Sequence, residues 1–120
     1  MTFTNINKYE LGELYKYLYG TEEQKALVDD SISSKAKANN VIVISQVLGS
    51  LKDGRNGFNF VNCYTNLLIK EDFDKLMTSL ADFNAFMAGD PDMFYSEFES
   101  EYISRDNVLS AKVNLRLEAY

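Results

Sequence analysis

The run Val41-Ile42-Val43-Ile44-Ser45-Gln46-Val47-Leu48-Gly49-Ser50-Leu51, then Lys52-Asp53-Gly54-Arg55-Asn56-Gly57 and Phe58-Asn59-Phe60-Val61-Asn62-Cys63-Tyr64, decides the fold. Val41 to Ile44 are all β-branched or aliphatic, and such side chains fit a pleated, half-buried surface. Phe58, Phe60 and Asn62 alternate with Asn59 and Val61, a period of two. Between the two runs, Asp53-Gly54 and Asn56-Gly57 supply the positive-φ positions that a tight turn needs. Strand, turn, strand is therefore the expectation for residues 41–69. The competing reading sets helical stripes on Ile44, Val47, Leu48 and Leu51, and on Phe60, Tyr64, Leu67 and Leu68. Short apolar runs carry both periods at once, and that alternative would make the chain mostly α.

Downstream the signals are helical. Glu71 to Ala88 places Phe73, Leu76, Met77, Leu80, Phe83 and Met87 on one stripe, with acids in the first turn and Gly89 as the stop. Asp90-Pro91 then offers a cap followed by proline at the first helical position. A further helix is expected to about Ile103, with Phe94, Phe98 and Tyr102 four residues apart. Ala111, Val113, Leu115 and Leu117 alternate with Lys112, Asn114, Arg116 and Glu118, the pattern of a half-buried strand. Upstream, Asn5 or Thr4 caps a helix through about Tyr19, along which Ile6, Tyr9, Leu11, Leu14, Tyr15 and Leu18 recur, and Gly20 stops it. Thr21-Glu22-Glu23-Gln24 reads as a capping box. The helix it opens carries Leu27, Val28 and Ile32, fades through Ser33 to Ala38, and ends at Asn39-Asn40.

The expected order is helix, helix, strand, strand, helix, helix, strand. That is a single α+β domain over residues 1–120, with a three-stranded, mostly antiparallel sheet covered by helices on one face. The polar row of the last strand suits a sheet with one wet face, and if that strand is an edge it offers pairing to another chain.

The chain of 120 residues is 46% hydrophobic, with eight Phe and eight Tyr, enough for one core without staples. Its single cysteine, Cys63, excludes an internal disulfide. The absence of histidine removes Ser-His-Asp and Cys-His catalysis and, with one Cys, a structural zinc site within the chain. Met1-Thr2-Phe3-Thr4-Asn5 lacks the basic-then-apolar pattern of a signal peptide, and the Val41–Leu51 run is too short to span a bilayer. A cytoplasmic setting is expected.

Charge is distributed unevenly. Residues 71–106 hold ten carboxylates against Lys75 and Arg105, a net of −8 within a total of −6, so the other residues carry +2. An acidic chain with scattered bases is a poor direct binder of nucleic acid. Its acidic block, interleaved with aromatics, can instead face a basic partner. The candidate partner-binding residues are Asp90, Asp92, Phe94, Tyr95, Glu97, Glu99 and Glu101, the acids supplying the field and Tyr95 or Phe94 the apolar anchor. On a helix Glu97 and Glu101 would stack as like charges with no lysine nearby, at a cost of a few tenths of a kcal/mol. The bland reading of the same block is a solvated face.

Other constellations are weaker. Asp90, Asp92 and Glu101 fall at positions one, three and twelve of a calcium loop, but Phe94 and Tyr95 occupy positions five and six, where a ligand and the turn glycine belong. Glu71, Asp72 and Asp74 cluster within a turn, a pattern that more often compensates a helix N-terminus than binds magnesium. Cys63 has no basic neighbour and reads as structural. Arg55 sits at a turn tip. Tyr9, Tyr15, Tyr17 and Tyr19 cover more than one helix face, chiefly as core. No metal or cofactor is expected.

The functional expectation is a non-enzymatic protein-binding or inhibitory protein. Its acidic, aromatic-bearing surface would engage a basic protein, including one that handles nucleic acid, as small phage and mobile-element anti-defence proteins do. The alternatives are a self-associating structural module and, less favoured, a carboxylate- or metal-dependent enzyme. Neither direct nucleic-acid contact nor a membrane is implied.

Overall fold

The structure is a computed structural model that describes residues 2–37 and 42–119. In chain order the elements are strand β1 (Thr2–Ile6), helices α1 (Lys8–Tyr19), α2 (Glu22–Ala26) and α3 (Asp30–Lys37), strands β2 (Ile42–Leu51) and β3 (Phe58–Asn66), helix α4 (Lys70–Ala88), strands β4 (Met93–Ser96) and β5 (Glu101–Ser104), a 3₁₀ turn at Arg105–Asn107, and strand β6 (Val108–Ala119). The α+β expectation holds, and so does strand, turn, strand for the deciding stretch. Gly54 and Gly57 adopt φ of 100° and 70°, the positive values that Asp-Gly and Asn-Gly predict. The expected helix end at Asn39-Asn40 and strand start at Val41 lie outside the described residues.

The sheet has four strands in the order β1-β6-β2-β3, not three. The additional strand is β1, which pairs antiparallel with β6 from Thr2↔Ala119 to Ile6↔Leu115. Its five residues are too few to declare a period, so its Thr and Asn read as helix caps. The true cap is Asn7, whose side chain accepts the Glu10 amide at 2.8 Å. With β1 in place the last strand is interior, not an edge. Its polar row grows drier along the strand: Lys112 is exposed, Asn114 and Arg116 are half-buried, and Glu118 is 2% exposed and accepts a 2.8 Å hydrogen bond from the Tyr64 hydroxyl.

The expected second helix is two. The Thr21 capping box forms with Gln24 as read, but α2 ends at Ala26, and Leu27, 85% exposed, belongs to no apolar stripe. The expected helix over 91–103 is absent; β4 and β5 form a two-stranded antiparallel hairpin there.

Two compact units divide the chain, one of residues 1–44, 64–74 and 115–120, the other of 45–63 and 75–114. The first buries Leu11, Leu14, Ile32, Val43, Leu67, Phe73, Leu115 and Leu117. Tyr15 and Tyr19 pack edge-on against Phe73, at 5.1 and 6.2 Å between ring centroids, so part of the tyrosine set is core. Tyr9, 71% exposed, is not. The second unit is built on Val47, Leu51, Phe58, Phe60, Leu76, Leu80, Phe83, Phe86 and Ile103. No helix among the described residues is long and apolar enough to cross a membrane.

Candidate functional site: the acidic hairpin

The acidic block of residues 90–106 folds as a hairpin with two unlike faces. Strand alternation sends successive side chains to opposite sides. Phe94 and Ser96 on β4, with Ile103 on β5, turn inward, while Met93, Tyr95 and Tyr102 turn outward. Phe94 packs against Phe60, Phe83 and Phe86, with ring centroids 6.2, 5.4 and 5.6 Å away. It is half-buried in this aromatic cluster, so of the two expected anchors Tyr95, 44% exposed, is the one that stands in solvent.

Four polar attachments hold the inner face. Ser96, fully buried, donates its hydroxyl to the carbonyl of Asn59 and accepts the Glu99 amide at 3.1 Å, closing the turn over 96–99. The Glu99 carboxylate accepts the Asn59 amide at 3.4 Å. Glu101 takes a bidentate pair from the Arg55 guanidinium, at 2.7 and 3.0 Å. At the base, Arg105 donates to the carbonyls of Phe86 and Pro91 and to the Asp92 carboxylate at 2.8 Å. Ser100 takes a left-handed φ of 53° in the turn, and the Asp90–Pro91 bond is cis. Arg55 is therefore no free turn tip. Its guanidinium also binds Asp53 at 2.9 Å and lies over the Phe58 ring, 5.3 Å from the centroid. Hydrogen bonds from Arg55, then Asn107, hold the Asp53 carboxyl at about 2, and Arg55 likewise lowers Glu101.

The outer face carries the exposed aromatic side chains. Tyr95 and Tyr102 are directly paired across the hairpin, ring centroids 4.8 Å apart and planes at 49°. They are 44% and 65% exposed, alongside Met93 at 45% and, in the turn, Phe98 at 60%. Four large side chains with apolar bodies thus stand in solvent between Met93 and Tyr102. The segment that carries them, residues 90–106, holds six carboxylates and one arginine, a net of −5. Asp92 and Glu101 are paired to arginines; Asp90, Glu97 and Glu99 carry no ion pair among the described residues. Sequence reasoning missed Phe98 and Tyr102 as exposed residues because their four-residue spacing groups them with Phe94 on one face of a helix, whereas on the hairpin Phe94 turns inward and they do not.

The other constellations resolve into local structure. Asp74 accepts from the Tyr15 hydroxyl at 2.7 Å and from Lys70 at 2.8 Å, and these bonds, Lys70's first, lower its pKa. Two acids of the calcium-like spacing, Asp92 and Glu101, are held by arginines. No group of three or more metal-binding side chains gathers among the described residues. Cys63 is half-buried, and burial pushes its thiol up, away from nucleophilic reactivity. Beside the hairpin base a recess of about 190 Å³ is lined by Asp92, Ser104, Arg105 and Asp106.

Comparison with protein-family models, curated proteins and solved structures finds no match to this chain.

Proposed function

We propose that the chain is a non-enzymatic binding protein that presents the outer face of its β4–β5 hairpin to a basic protein. The observation that carries this reading is the coincidence of Met93, Tyr95, Phe98 and Tyr102, each 44–65% exposed, with an unbalanced acidic field on one pinned hairpin. Exposed apolar side chains gathered in a patch and rimmed by polar groups are typical of interaction sites. Tyrosine is enriched in interface cores, where it supplies contact area for only two lost side-chain torsions. The carboxylates would steer a cationic partner and the aromatics would hold it. Blocking a nucleic-acid-handling enzyme at its basic groove is the inhibitory form of this activity, an analogy from charge and size.

The test is capture of partners from the source organism's lysate at low and high salt, with the double variant Asp90→Lys, Glu97→Lys as comparison. Both acids are exposed and neither carboxylate holds the hairpin, so the variant should keep its melting temperature. The expected result is a basic protein retained at low salt by the wild type and lost by the variant. Equal retention by both would sink the proposal.

A further inference from the structure

We infer that the outer face of the hairpin selects arginine over lysine in its partner, taking a guanidinium flat on the Tyr95–Tyr102 pair. The inference rests on the reading of this face as a docking surface and names the group it recognises.

Charge restricts the occupant. A second copy of this hairpin would bring −5 against −5, and nucleic acid or an anionic membrane would be repelled in the same way. A cationic protein segment is the occupant that the field attracts. The aromatics then decide between the two cations. With centroids 4.8 Å apart, the Tyr rings leave no gap for a side chain between them, so they form one tilted surface on which a planar group can lie. Guanidinium is planar, weakly hydrated and stacks on aromatic faces while its edge stays free to fork onto a carboxylate. Ammonium is compact and strongly hydrated, and gives up more water for the same contact. Glu97, two residues after Tyr95 in the sequence, is exposed and without an ion pair among the described residues, and so is a carboxylate free to receive that fork.

Among the described residues the chain sets two cations on aromatic rings beside carboxylates: Lys70 lies 5.7 Å from the Tyr15 centroid and binds Asp74 through a single contact, whereas an arginine takes the forked form. Behind the hairpin the Arg55 guanidinium lies 5.3 Å from the Phe58 centroid and forks onto Glu101 while binding Asp53. An aromatic ring and carboxylates complete an arginine there from within. The outer face offers aromatic rings and carboxylates with no arginine over them among the described residues.

The experiment is fluorescence anisotropy with labelled arginine and lysine homopeptides of equal length, at low salt. Wild-type protein should bind the arginine peptide roughly five- to tenfold more tightly. Tyr95→Ala/Tyr102→Ala should bring that ratio close to one while both peptides still bind, and Tyr95→Phe/Tyr102→Phe should preserve it. A wild-type ratio of one, or a ratio that survives the alanine pair, overturns the arginine selectivity and leaves the docking surface standing. Failure of both peptides to bind at low salt overturns the docking surface as well.

Discussion

At Gly49 an added Cβ would sit 2.4 Å from the Ser110 carbonyl oxygen and 2.6 Å from the Phe60 ring. Only a residue without a side chain lets β2 pass that backbone. Gly49→Ala should therefore destabilise by about 1–3 kcal/mol through overpacking, read as a lower denaturant midpoint at unchanged slope. Wild-type stability in that variant would mean that the ring and strand yield freely. Gly49 was visible in sequence only as an interruption of an apolar run. Ser96 is a similar case. Its buried hydroxyl serves both the Asn59 carbonyl and the Glu99 amide, so Ser96→Ala should cost about 1–3 kcal/mol, as expected when buried partners lose their hydrogen bond. Thermal unfolding reads this directly. A surface-like effect below about 0.5 kcal/mol would deny Ser96 its role in closing the turn.

Among the elements, α4 was the most legible and still slipped in phase at its end. Its stripe reads correctly through Phe73, Leu76, Leu80 and Phe83, but the last inward residue is Phe86, fully buried, and Met87 is 41% exposed. Both positions satisfy a helical period, and only the aromatic neighbours Phe83 and Phe94 choose between them. Phe86→Ala should cost about 3–5 kcal/mol. Met87→Ala should stay within about 0.5; reversed magnitudes would refute the packing. The hairpin was misread because Asp90-Pro91 is a sound helix-start signal. The contrary sign was present: a helix stacks Glu97 on Glu101, whereas the hairpin gives Glu101 to Arg55 and leaves Glu97 in solvent. What no local pattern contains is Arg55, 46 residues away, or Arg105 tying the hairpin base to the end of α4. The Arg55 attachment is sensitive to acid. Asp53 falls from its ordinary 3.8 to about 2 and Glu101 is also lowered, so folding holds these groups ionised. Their contribution is full above the ordinary carboxylate range and is lost as pH falls through the folded values. Melting temperature should drop between about pH 4 and pH 2, and Arg55→Met should flatten that slope. Parallel curves for wild type and variant would contradict it.

For the whole molecule, the α+β class and the turn at Asp53–Gly57 were legible because β-branched runs and Asp-Gly and Asn-Gly pairs act locally. Strand order was not, because pairing Thr2–Ile6 with β6 joins the two ends of the chain and nothing near either end announces the other. The charge asymmetry was legible as a number, and the hairpin converts it into a surface. The two faces differ in kind: Phe94, Ser96, Glu101 and Arg105 fix the element, and Met93, Tyr95, Phe98 and Tyr102 stand exposed, the face proposed to meet a partner. The most direct test is amide chemical-shift mapping of the isotope-labelled protein titrated with an arginine-rich peptide at low and high salt. The account predicts shifts concentrated on Met93–Ser104 and suppressed by salt. Shifts scattered over the chain, or centred outside the hairpin, would contradict it.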